Sequence, residues 1–129
     1  MWLEIIRENQ KNVTIGGVYR QWTQTQEEDC NIILDQIQKA SEDKLPLLVT
    51  GDINLDMLQW TKKEYRKKAI ADQWRSGIAK SGLSWKNLGI TYISHYIKNG
   101  DHIRSALDHM YFSSDKVFTN FKKLKNTVE

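Results

Sequence analysis

Disulfide bonding within the chain is excluded at the outset, because the 129 residues include a single cysteine, Cys30. One thiol also rules out a Cys-rich zinc site, and a reducing, intracellular setting (nuclear or cytoplasmic) is the expectation. Pro46 is the only proline, and no Pro/Gly/Ser-rich tract marks a linker between domains. No apolar run approaches the roughly 20 residues that a membrane helix needs, so no membrane partner is expected. The opening stretch Met1-Trp2-Leu3-Glu4-Ile5-Ile6 is interrupted by Glu4 and has no basic leader, unlike a secretory signal. Internal repeats and low-complexity segments are absent. What remains, 40% hydrophobic and 27% charged residues, suits one globular domain over residues 1–129 with a core of its own.

The hydrophobic pattern predicts an α/β arrangement. Trp2 to Arg7 and Val13 to Arg20 read as two strands joined by a polar turn. Val13, Ile15 and Tyr19 fall on one face of the second strand, and Thr14, Val18 and Arg20 on the other. Gly16-Gly17 within it marks a bulge or a close backbone approach. Thr25 and Glu28 fit a capping box ahead of a helix whose apolar stripe is Cys30, Ile33, Leu34 and Ile37. Leu45 to Thr50 is a nearly unbroken apolar run, expected as a strand buried on both faces, and it delivers Asp52 and Asn54 into a loop. A second helix is expected from about Lys62 to Ser81, with Ile70, Trp74 and Ile78 inward and Gly82 at its C-terminus in positive φ. Asn99-Gly100 predicts a type I′ hairpin turn. With no bulge, that turn pairs Lys98 with Asp101, His95 with Arg104, Ile93 with Ala106 and Thr91 with Asp108, and it sets His109 on the face opposite Asp108.

Four features stand where strand ends build sites: Val18-Tyr19-Arg20, Gly51-Asp52-Ile53-Asn54, Ser105-Ala106-Leu107-Asp108-His109, and a basic cluster that includes Lys62, Lys63, Arg66, Lys67 and Lys68. Singly, each has an ordinary explanation. Gly-Asp-x-Asn is a common turn composition, and a basic cluster is also what a solvated helix face looks like. Asp108 is harder to dismiss, because a carboxylate among apolar strand residues needs a partner, a role open to Arg104 or Thr91. The histidines His95, His102 and His109 are spaced by seven, but Asn99-Gly100 argues against one helix carrying them as zinc ligands. Trp22, Trp60, Trp74 and Trp85 offer base-stacking surfaces or core anchors, and the core is preferred for Trp74.

In combination and in this order, GGVYRQW, GDIN and SALDHMYFSS resemble the endonuclease/exonuclease/phosphatase (DNase I-like) family. The endonuclease domains of non-LTR retrotransposons are the nearest likeness. The resemblance implies a mixed, largely antiparallel sheet of about five or six strands with helices on one face. That would be about the C-terminal half of a two-sheet sandwich, whose open face then favours self-association. It also implies metal-dependent phosphodiester hydrolysis, with endonucleolytic nicking of DNA expected ahead of RNA, and Mg²⁺ or Mn²⁺ as cofactor.

By position, Asp52 would orient and deprotonate the attacking water and serve as a metal ligand. Asn54 and Tyr19 would hold the phosphate, and Asp108 would brace a catalytic histidine. Arg20, Lys62, Lys63, Arg66 and Lys67 are the candidate nucleic-acid contacts. The family's metal-binding Glu, its early Asn and its Ser-Asp-His histidine have no match here. Glu8 and Asn9 lie too close to Tyr19, and Ser114-Asp115-Lys116 has the wrong third residue. The expectation is therefore a fragment with little or no activity alone; the alternative is a noncatalytic nucleic-acid- or protein-binding remnant.

Overall fold

The computed structural model describes residues 1–21, 27–113 and 118, with the side chain of Glu27 excepted. The Thr25 half of the expected capping box, Trp22 and Ser114-Asp115-Lys116 lie outside the described residues. Seven strands and two helices are described: β1 (Trp2–Ile5), β2 (Val13–Tyr19), α1 (Glu27–Glu42), β3 (Leu47–Asp52), α2 (Lys68–Lys80), β4 (Leu83–Trp85), β5 (Tyr92–Lys98), β6 (Asp101–Ser105) and β7 (Asp108–Ser113). Five of the strands form one sheet in the order β1-β2-β3-β7-β4, while β5 and β6 make a separate two-stranded ribbon. Only β2 and β3 run parallel, linked by the crossover through α1. This is the mixed, largely antiparallel sheet with covering helices that the motif order implied. No described helix is long and apolar enough to cross a membrane.

The core fills the space between the sheet and its helices. Cys30, Leu34 and Ile37 of α1 and Ile70, Ala71, Trp74 and Ile78 of α2 pack with Leu47, Val49 and Tyr111 of the central strands. Helix–helix contact is close at Gly77, where a Cβ would sit 2.6 Å from Leu34 Cδ1. Gly16 similarly admits the ring of its cross-strand partner Trp2, so the glycine pair in β2 serves a close approach and the β1–β2 and β2–β3 registers run through it unbroken.

The expectation that β3 is buried on both faces holds for one face only. Leu47 and Val49 are fully enclosed beneath the helices, whereas Leu48 and Thr50 on the other face are half-buried. Leu3 and Ile5 are exposed, and Ile15, Met110 and Phe112 are half-buried.

One boundary differs from the sequence reading. The second helix begins at Lys68, not near Lys62. Residues 56–67 form a series of tight turns closed by Lys62 N–H to Gln59 O, Tyr65 N–H to Lys62 O and Lys68 N–H to Tyr65 O. Lys67 Nζ donates to the Asn54 carbonyl and the Asp56 N–H donates to the Tyr65 hydroxyl, contacts that hold this stretch against the loop after β3. Gly82 adopts φ +71°, as a residue following a helix C-terminus should.

The Asn99-Gly100 turn forms with φ +53° and +80° and pairs Lys98 with Asp101, as expected for type I′. Beyond Ile97 the register shifts by two residues, so Arg104 pairs with Ile93 and not with His95. The expected Ile93–Ala106 and Thr91–Asp108 pairings are lost with it. An irregularity in β5 is the cause, with the Tyr96 amide turned to the Ser94 hydroxyl and His102 Nδ1 on the Ser94 carbonyl.

Gly51 holds the last turn of β3 at φ +152°, and a Cβ there would overlap the Val18 carbonyl of the neighbouring strand. Gly51→Ala should therefore destabilise the fold by about 3 kcal/mol or more, read as a lowered urea midpoint with unchanged slope.

Candidate active site

Strand β3 ends at Asp52, between Tyr19 at the end of parallel β2 and Asp108 at the start of antiparallel β7. Asp52 is the register partner of both residues, so all three side chains leave the sheet on the same face. Directly opposed residues of an antiparallel pair have Cα atoms roughly 4.5–5.5 Å apart. Residues 56 positions apart in sequence are thus brought to one edge of one sheet. The cleft beside them has a volume of about 880 Å³ and is lined by Tyr19, Asp52, Asn54, Tyr65 and Lys67, among others.

The loop after β3 is fixed by its backbone. The Asn54 N–H donates to Asp52 Oδ1 at 3.0 Å, an Asx turn that occupies one carboxylate oxygen. Asn54 itself sits at φ +54°, in the left-handed region that asparagine tolerates better than most residues. Ile53 and Leu55 on either side are fully buried and anchor the loop in the core. On the β7 side, the Ile53 N–H donates to the Leu107 carbonyl at 2.9 Å, and Asp56 Oδ1 accepts the Ala106 N–H at 2.9 Å. The Thr91 hydroxyl accepts the N–H groups of Leu107 and Asp108 at 2.9 and 3.0 Å. Thr91 therefore reaches the start of β7 through its side chain, although the strand register does not pair the two residues.

Electrostatics at this edge are unbalanced. Partial burial pushes the Asp52 carboxyl up from its ordinary value and Asp108 adds to the rise, while the Asn54 amide and Arg20 pull it down. Among the described residues neither Asp52 nor Asp108 takes part in an ion pair. The two recorded pairs, Lys68–Asp72 and Arg75–Asp72, lie on α2. Burial, followed by the charges of Arg20 and Arg66, lowers Lys67. The Asp52 carboxylate, with Asp108 beside it across the strands and Lys67 in the same cleft, suits binding of a cation and of a group that carries negative charge.

Not every residue expected at the site is available to a ligand. Lys62, Lys63 and Arg66 are exposed on the turns before α2, and Lys67 is half-buried with its Nζ 3.3 Å from the Asn54 carbonyl. Arg20, expected as a nucleic-acid contact, is fully buried, and its Nε donates to the Ile53 carbonyl at 2.7 Å. That corrects the expectation: strand alternation turns Tyr19 outward and Arg20 inward. Trp60 and Trp74 are core residues, whereas Trp85 is partly exposed. Tyr65, Tyr92 and Tyr96 also line the cleft and were missed. Tyr65 was hidden inside an expected helix, and the two hairpin tyrosines had no signal beyond β propensity.

Beneath Asp108, His109 is buried in a closed hydrogen-bond relay. Trp74 Nε1 donates to the Tyr111 hydroxyl at 2.8 Å, that hydroxyl donates to His109 Nδ1, and His109 Nε2 donates to the Leu55 carbonyl at 2.8 Å. The relay satisfies every member with a neutral imidazole.

These observations meet one solved structure of known kind. The endonuclease domain of TRAS1, a telomere-specific non-LTR retrotransposon, superposes with a TM-score of 0.65 at 23% identity, covering 90% of this chain and 52% of that one. The chain has a DNase I-like endonuclease fold. It spans about half the length of that domain. No family model and no curated protein matches the sequence.

Burial lowers the His109 pKa below its ordinary 6.5. Above that value both folded and unfolded forms are neutral and the full stability is present. As pH falls below it, the unfolded chain takes up a proton that the folded chain resists, at a cost of up to about 1.4 kcal/mol per pH unit. His109→Gln should flatten this loss between pH 7 and 5 in urea titrations.

Proposed function

We propose that this edge is half of a metal-dependent phosphodiesterase site acting on nucleic acid, with DNA as the preferred substrate. The observation that carries the reading is the Asp52–Asp108 register pair on one sheet face, with Asp52 lining a cleft that also holds Tyr19, Asn54 and Lys67. The described residues contain no cluster of three or more His, Cys, Asp or Glu. Two unpaired carboxylates nevertheless suit Mg²⁺, which binds through one or two carboxylates and keeps several waters. Asp52 would hold it, through the oxygen not engaged by the Asn54 amide, and the ion would neutralise charge developing on phosphoryl oxygens.

The chain's own groups divide the remaining work. Asp52, set at the strand end with a raised pKa, orients the attacking water and takes its proton. Tyr19, largely exposed, donates its hydroxyl to a phosphate oxygen. Asn54 offers a neutral amide there, adding no repulsion. One of its amide hydrogens is already donated to the Arg20 carbonyl. Asp108 braces an incoming imidazolium, and Lys62, Lys63 and Arg66 follow the phosphate backbone on the exposed turns. Because the chain spans about half of the related domain, the nicking expected of it alone is weak or absent.

Titration with Mn²⁺ checks the metal assignment. Amide signals of Asp52, Asn54 and Asp108 should broaden, and Asp52→Asn should remove the effect; uniform or distant broadening counts against the site. Any Mg²⁺-dependent nicking of supercoiled plasmid should disappear in Asp52→Ala, and nicking that persists defeats the assignment. Salt-dependent DNA binding without cleavage would instead favour the noncatalytic binding reading. In either case Lys62→Ser with Lys63→Ser should reduce the slope of log affinity against log salt by about 2.

A further inference from the structure

Arg20 is charged, fully buried and committed to backbone, an arrangement that a core alone does not require. Its main-chain N–H donates to the Asp52 carbonyl at 2.9 Å, its Nε to the Ile53 carbonyl at 2.7 Å and its Nη2 to the Asn54 carbonyl at 3.1 Å. Asn54 answers by donating its side-chain amide to the Arg20 carbonyl. Three successive carbonyls of the loop are thus held by one residue of the neighbouring parallel strand. Lys67 adds a second cation at the Asn54 carbonyl, its Nζ donating at 3.3 Å.

We infer that Arg20 is a positioning residue for the candidate site, clamping Asp52-Ile53-Asn54 so that the Asp52 carboxylate and the Asn54 amide face the cleft. The inference rests on the phosphodiesterase reading for its purpose, and its structural content can be tested without it. Guanidinium geometry is what makes the clamp possible. A planar fork reaches two carbonyls at once, and a lysine ammonium at the same place is a point charge on a flexible stem. Asn54 in the left-handed region is the residue with most to lose, since asparagine tolerates that conformation but does not favour it over the right-handed one once the carbonyl contacts are gone. The clamp also explains why the strand order YR-then-GDIN matters physically: alternation sends Tyr19 to the substrate side and Arg20 to the supporting side of one edge.

The test uses the full chain without metal. In Arg20→Met, the strong intraresidue amide–Hα NOE of a left-handed Asn54 should be lost and its side-chain NH₂ signals should shift, while the Trp74 indole signal stays in place. A role limited to core stability would lower the melting temperature and leave the Asn54 signals where they are. That result would overturn the inference. Should Arg20→Met fail to fold, Arg20→Lys keeps the charge and loses the fork. Displaced Asn54 signals in a folded Arg20→Lys support the clamp, and an Asn54 unchanged from wild type overturns it. The Mn²⁺ titration of wild type reads the function separately: no broadening at Asp52 removes the phosphodiesterase reading and leaves the metal-free Asn54 result standing.

Discussion

Asp52 and Asp108 face one another across β3 and β7, a like-charge pair that strand pairing by itself disfavours. The pair persists because the neighbouring positions leave the strands no room to slide. Val49 lies opposite Tyr111, and Gly51 opposite His109, on the face beneath the helices. A slip of one residue would drive Asp108 into the core and expose the histidine. The repulsion is therefore a fixed property of the edge, relieved only by a proton, a cation or a ligand. Site chemistry here follows from sheet register before it follows from any single side chain.

Support and display are separated by the sheet itself. On the covered side, the side chains of Arg20 and His109 bind three carbonyls of the loop between them, at Ile53, Asn54 and Leu55. On the open side, Tyr19, Asp52 and Asp108 have little holding them beyond their own backbone. One oxygen of Asp52 accepts the Asn54 main-chain N–H at 3.0 Å. The backbone of this edge is therefore held firmly, while its displayed side chains keep a freedom that only a bound group would remove.

Much of this was legible in the sequence, where local rules dominate. Period-two alternation set Tyr19 and Arg20 on opposite faces, and the apolar run from Leu45 led to Asp52. Asn99-Gly100 dictated its turn because few other residue pairs tolerate that backbone. The misreadings arose where tertiary contacts decide. Basic residues 62–67 carry no mark that separates a helix from a chain of turns until Lys67 finds the Asn54 carbonyl and the Tyr65 hydroxyl accepts the Asp56 amide. Arg20 reads as a surface cation in any composition-based view, because arginine is rarely enclosed. Its burial depends on loop carbonyls 33 and 34 residues away. The β5 irregularity is likewise invisible, since its cause is the Ser94 side chain and carbonyl engaging neighbours on the same ribbon.

The ribbon of β5 and β6 carries exposed Ile93, Tyr96, Ile97 and Ile103, and it is tied to the main sheet at both ends: residues 86–91 lead in from β4, and Ala106 and Leu107 lead out to β7. Those two residues are pinned by Asp56 and Thr91, immediately before Asp108. The arrangement is mechanically a lever with its fulcrum one residue from a carboxylate of the site. A displacement of that arm's tip would be felt beside Asp108 from two directions, through the Ala106-Leu107 backbone and through Thr91, whose hydroxyl holds the same stretch.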